Sequence, residues 1–100
     1  MKQKIRCAIL GLGNQACEHL AASIGHPDVE IIAGVDANAE QAQKVKSLFP
    51  ELSLSFFKSL TELQASSLNI DGLILALPHH AYAPIWQQLT ATQLPLLKEK

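Results

Sequence analysis

Five short apolar runs, separated by longer amphipathic stretches, constrain this chain more than any other feature. The first run, Ile5 to Leu10, has one charged residue, Arg6, and stops at Gly11. It is too short for an ordinary helix and reads as a buried strand. From Asn14 to Ile24 the apolar positions are Ala16, Cys17, Leu20, Ala21 and Ile24. Their spacing of three and four marks a helix face, closed by Gly25-His26-Pro27. Val29 to Val35 is rich in β-branched residues and predicts a second strand ending at Asp36. Asn38 can cap a helix running to about Phe49, with Ala42, Val45 and Leu48 as its buried stripe and Pro50 closing it. Leu54 to Phe57 predicts a weak third strand, and Ser59 caps a short helix through Leu63. Gly72 to Leu77 is almost wholly apolar and predicts a strand buried on both faces. A helix from His80 to about Ala91 tolerates Pro84 only in its first turn. Leu94 to Leu97 begins a fifth strand.

Strands alternating with helices of this length imply an α/β fold: a doubly wound parallel sheet. Right-handed crossovers leave few topologies, and 3-2-1-4-5 is the natural strand order. One hundred residues make one domain, 1–100. With 48% apolar residues and a net charge of −1, the chain is not disordered. Its eight cations form no run or stripe, so no nucleic-acid partner is expected. No apolar run approaches the roughly 20 residues of a membrane span, and no signal-peptide core is present. Cys7 and Cys17 have no metal-like spacing with the histidines and read as buried free thiols. That fits a cytoplasmic location, and no metal is expected. Trp86, Phe49, Phe56 and Phe57 read as packing residues.

The chemistry is concentrated in Gly11-Leu12-Gly13-Asn14-Gln15-Ala16, a G-x-G-x-x-[GA] pattern lying between a strand and a helix. Gly11 allows a tight turn, Gly13 lets a pyrophosphate approach the backbone, and Ala16 lets the helix pack close to the strand. The first-turn N–H groups then face the phosphates. Asp36 stands twenty residues beyond Ala16, at the end of the second strand. A carboxylate there accepts hydrogen bonds from adenosine ribose hydroxyls and repels a 2′-phosphate. Ala37 and Asn38 follow it and no Arg is adjacent, which favours NAD over NADP. The Gly-Lys-Ser/Thr of a Walker loop is absent. No acid closes the first strand, as a methyltransferase reading would want.

In the order and spacing of its short motifs, the chain resembles the glucose–fructose oxidoreductase and inositol dehydrogenase family, in its N-terminal Rossmann domain. The matching residues are Lys4-Ile5-Arg6, Gly11-Leu12-Gly13-Asn14, His19-Leu20, Val35-Asp36, Leu60-Thr61-Glu62-Leu63, Ile70-Asp71-Gly72, Ala76-Leu77-Pro78 and Leu97-Lys98-Glu99-Lys100. The last resembles the start of the family's Glu-Lys-Pro motif. The resemblance implies that Lys100 is the catalytic lysine, holding the substrate hydroxyl and assisting proton transfer as hydride leaves, with Glu99 supporting the same turn. It implies that Leu77, Pro78 and Tyr82 lie on the cofactor side, while His79, at the carboxyl end of the fourth strand, reads either as lining the nicotinamide side or as a capping or solvent residue. Leu77 replaces the family's usual Thr, and Tyr82 stands where a His is common. His80 reads as a capping or solvent residue, and His19 and His26 as structural or surface residues.

The implied function is NAD-dependent hydride transfer to or from a small carbinol, such as a sugar or cyclitol. The competing reading is a non-catalytic nucleotide-sensing module. The resemblance also implies a sixth strand and a substrate-binding domain after residue 100. Without them, the chain alone is expected to bind cofactor but not turn over substrate. The edge of the fifth strand is expected to be covered by another copy of the chain, making a homo-oligomer.

Overall fold

The computed structural model describes residues 5–24, 26, 28–76 and 83–98. Five parallel strands form its sheet: β1 (Ile5–Leu10), β2 (Val29–Val35), β3 (Ser55–Phe57), β4 (Gly72–Leu75) and β5 (Leu96–Lys98). Their order is β3-β2-β1-β4-β5, as the alternation of elements predicts. Helices α1 (Asn14–Ser23), α2 (Ala39–Leu48), α3 (Leu60–Ala65) and α4 (Trp86–Ala91) connect them. None of the described helices is long and apolar enough to cross a membrane.

The sheet separates two cores. Cys7, Ile9, Ile31 and Ile74 face α1 and α2, where Leu12, Ala16, Leu20 and Val45 close the layer. Ala8, Leu10, Ala33, Val35, Leu73 and Leu75 face Leu60 and Leu63 of α3 and Leu89 of α4. Every residue of β4 is buried, as expected for a strand covered on both faces. The β1–β2 ladder is not uniform. Cys7 pairs with Ile31 but Ala8 pairs with Ala33, leaving Ile32 as an extra residue. Ile31 therefore faces the α1–α2 layer, while Ala33, two positions on, faces the α3–α4 layer.

Helix starts follow the capping expectations. The Asn38 side chain accepts a hydrogen bond from the Glu40 N–H at 2.9 Å. Ser59 Oγ accepts one from the Glu62 N–H at 3.2 Å. Pro84 lies in a single 3-10 turn, Ala83–Ile85, just ahead of α4. A first-turn proline is tolerated because its missing N–H has no intrahelical role. Of the helix expected from His80, the described part is this 3-10 turn followed by α4, Trp86–Ala91, and residues 80–82 lie outside the described residues. The chain leaves α4 through Gln93, whose φ of 58° is the only positive value at a described non-glycine residue.

Several burial expectations fail, each through helix phase or length. Leu48 is 53% exposed because α2 presents only Val45 fully to the core. Ile24 lies past the end of α1 and is 42% exposed, and Ala21 also faces solvent. Trp86 opens α4 and is 47% exposed, so it is not a packing residue. Phe49 and Phe56 pack at the edge of one core and Phe57 at the edge of the other. Lys46 Nζ sits 5.6 Å above the Phe56 ring centroid. Both cysteines are free thiols, but only Cys7 is buried and Cys17 is half-buried. Burial, and secondarily the Asp71 carboxylate, push the Cys7 thiol above its ordinary pKa. It stays protonated and unreactive at neutral pH. No group of metal-ligating side chains occurs among the described residues.

Candidate dinucleotide-binding site

The carboxyl ends of β1 and β2 meet the start of α1, and the glycine-rich loop is built there. Gly11 continues the ladder, its N–H donating to Val35 O at 2.7 Å. It then turns with φ 92°, a conformation that L side chains rarely adopt. Leu12 points inward and is fully buried among Ile9, Ala16 and Leu20. A Cβ added to Gly34 would come within 3.0 Å of Leu12 Cδ2, so the bare backbone of β2 makes room for this plug.

Gly13 is the N-cap of α1 and offers no side-chain cap, and no acidic residue occupies the first helical turn. A Cβ built on Gly13 meets nothing within 4 Å. The first N–H groups of a helix have no intrahelical acceptors, and the helix dipole places positive potential around them. At α1 these donors begin beside a residue with no side chain, with open space where its Cβ would stand. That is the arrangement a pyrophosphate needs. The backbone of Asn14 and Gln15 forms the first helical turn, as the motif predicts.

Asp36 closes the other side of the loop. Its Oδ2 accepts the Leu12 N–H at 2.9 Å and its Oδ1 accepts the Asn38 N–H at 2.8 Å. Its own N–H donates to Phe57 O at 3.0 Å. Asp36 is therefore a strut between β2 and the glycine loop as well as a carboxylate at the site. The turn-residue role and the ribose-acceptor role are compatible, since each carboxylate oxygen retains a further lone pair.

Beside it lies a cleft of about 240 Å³, lined by Leu10, Val35, Asp36, Ala37, Lys58, Ser59, Leu60, Ile85 and Gln88. Leu10, Val35, Ala37, Leu60 and Ile85 give it apolar walls and Asp36, Lys58, Ser59 and Gln88 its polar groups, a mixture that suits a flat base beside a ribose. Gln88 is tied to α3, its Nε2 donating to Thr61 Oγ1 at 2.8 Å and Gln64 Oε1 at 3.0 Å.

The structure thus brings together Gly11, Leu12, Gly13, Asp36 and Ala37. Leu12 joins the site through its backbone, with its side chain in the core. The expected site residues Leu77, Pro78, His79, Tyr82, Glu99 and Lys100 lie outside the described residues. Lys58, Ile85 and Gln88 line the cleft but were not expected there. The signal for Lys58 was available: it follows the third strand as Asp36 follows the second.

A family model described as an oxidoreductase family with an NAD-binding Rossmann fold matches residues 5–100. The chain belongs to that family. It is 26% identical to a myo-inositol dehydrogenase from Corynebacterium glutamicum, with a TM-score of 0.80, covering 98% of this chain and 28% of that one. It is 28% identical to the WlbA dehydrogenase from Bordetella pertussis, solved with NADH and UDP-GlcNAcA, with a TM-score of 0.79, covering 100% of this chain and 28% of the other. The WlbA dehydrogenase from Chromobacterium violaceum shares the fold at a TM-score of 0.82 and 24% identity, with coverages of 100% and 28%. A search of curated proteins found no match. The chain spans little more than a quarter of the length of these solved proteins.

Proposed function

We propose that this chain is the cofactor-binding part of an NAD-dependent oxidoreductase acting on a small carbinol of the sugar or cyclitol kind. Asp36 carries the reading, a carboxylate fixed against the glycine loop by the Leu12 N–H. In this reading Gly11, Gly13, Asn14 and Gln15 present backbone to the pyrophosphate, while Asp36 and Ala37 hold the adenosine ribose. Leu77, Pro78, His79, Tyr82 and Glu99 line the nicotinamide half. Nicotinamide, when bound, supplies the hydride chemistry. Lys100 holds the substrate oxygen and stabilises its charge as the proton moves. The substrate contacts come from a further domain following this one, so these 100 residues alone bind cofactor without turnover. In the 100-residue chain by itself the β5 edge pairs with another copy in a homo-oligomer, and the protein works in the cytoplasm, where free thiols persist.

The test is a fluorescence titration with NADH. Wild-type chain should bind, and Asp36→Ala should weaken binding by about tenfold or more, the worth of a hydrogen bond to a charged group. Unchanged affinity in Asp36→Ala would remove the ribose contact. In a longer parent, Lys100→Ala should lower kcat far more than it changes NADH affinity.

A further inference from the structure

The cleft beside Asp36 contains a charge that the glycine loop does not explain. Val35 of β2 pairs with Phe57 of β3 in a parallel ladder. The Asp36 N–H continues that contact to Phe57 O. Asp36 and Lys58 therefore leave their strands side by side, at the roughly 4.8 Å spacing of neighbouring strands. Both line the same cleft, and Lys58 is the one cation among its lining residues. The exposed Lys58 ammonium rides on a flexible four-carbon stem and acts as a mobile point charge. Asp36 is the opposite case. Both its oxygens are held by backbone N–H groups, so its negative charge cannot swing away.

We propose that Lys58 sets the tolerance of this site for a 2′-phosphate on the adenosine ribose, making NADPH a weaker second cofactor of a site that prefers NADH. The proposal rests on the NAD-binding reading and adds a specificity residue to it. A 2′-phosphate carries nearly two negative charges and would be repelled by the fixed Asp36 carboxylate. A rim holding Asp36 alone would carry a net charge of about −1. With Lys58 beside it the rim is about neutral, and a mobile ammonium can follow the phosphate. Ser59, the next residue, adds little, because its hydroxyl already caps α3. NADH offers Lys58 only a neutral 2′-hydroxyl at that position, a much weaker partner for an ammonium than a phosphate. Because Lys58 is exposed, its contribution should be modest and screened by salt.

The experiment compares NADH and NADPH titrations of the wild-type chain, Lys58→Met and Lys58→Glu at low and moderate ionic strength. The wild type should bind both, NADH more tightly. In Lys58→Met the ratio of NADPH to NADH Kd should rise about fivefold, with NADH affinity within about twofold. In Lys58→Glu the ratio should rise further, and added salt should shrink both effects. An unchanged ratio, an equal loss of both cofactors, or a wild type that binds NADH but never NADPH would overturn the proposal while leaving the NAD reading intact. A wild type that binds neither dinucleotide would overturn both. Asp36→Ala, run alongside, reports on the NAD reading through NADH alone.

Discussion

The helices of this chain start in two different ways. At α2 and α3 a side chain, Asn38 or Ser59, accepts a first-turn N–H, and an acid, Glu40 or Glu62, sits in the same turn. At α1 the capping position is Gly13, with no side-chain acceptor and no acid. The same orphan donors are answered locally in α2 and α3 and left open in α1. A helix start without a cap forgoes about 1 kcal/mol. What α1 forgoes in intrinsic stability, it keeps as an unspent set of donors aimed at the mouth of the sheet. Helix α4 also starts without a side-chain cap or an acid, but it runs on from the 3-10 turn Ala83–Ile85, so α1 is the described helix whose bare start follows a loop, and the proposed function assigns that start to a ligand.

The strongest way to break this contrast is to give α1 the kind of cap that α2 has. Gly13 has φ −81° and open space around its missing Cβ, so Gly13→Asp should fold and even melt slightly higher. Its carboxylate would occupy the donors and repel a pyrophosphate, and NADH affinity should fall about 100-fold, or about 2.7 kcal/mol. Retained affinity in a titration would mean that the open start of α1 is not the phosphate cradle. Next in size is Gly34→Ala, which crowds Leu12 from below. It should cost about 1 to 2 kcal/mol in a urea melt and also weaken NADH several-fold, because Leu12 shapes the loop.

Asn38→Ala and Ser59→Ala probe the other side of the comparison. Each should cost about 1 kcal/mol of stability. Asn38→Ala, whose side chain caps α2 and is not among the residues lining the cleft, should leave the NADH titration unchanged, whereas a loss of binding there would show that the α2 start also serves the ligand. The smallest effect lies at a helix end. Gln93 occupies a left-handed position that glycine adopts without penalty. Gln93→Gly should raise stability by about 0.5 to 1 kcal/mol, seen as a higher melting temperature, with cofactor binding untouched.

The parts of the site that were readable in sequence are local. Gly11, Gly13 and Ala16 declare the loop by their spacing, Asp36 by its distance from them, and Asn38 and Ser59 by their place ahead of helical periods. The strand order followed from alternation and handedness, with no residue-level contact needed. What was not readable depends on register between strands distant in sequence. The placement of Lys58 beside Asp36 requires knowing that Val35 pairs with Phe57. Leu48 and Trp86 are apolar residues at positions where helix phase and the first position of α4 leave them in water. The packing of the Leu12 side chain in the core over Gly34, where a Cβ would crowd it, likewise needs the β1–β2 register.

The register shift in β2 has a consequence for how the chain can vary in length. Ile32 has no partner in β1, yet the residues on either side pair in register. The strand therefore carries one unit of slack between its entrance and its exit. Removing that unit would leave Cys7 opposite Ile31 and Ala8 opposite Ala33, with Asp36 still delivered to Leu12. The lower half of the strand can shed that residue while the upper half keeps time with β1. A site that depends on the count of residues between Gly11 and Asp36 is in this way insulated from the loss of one of them.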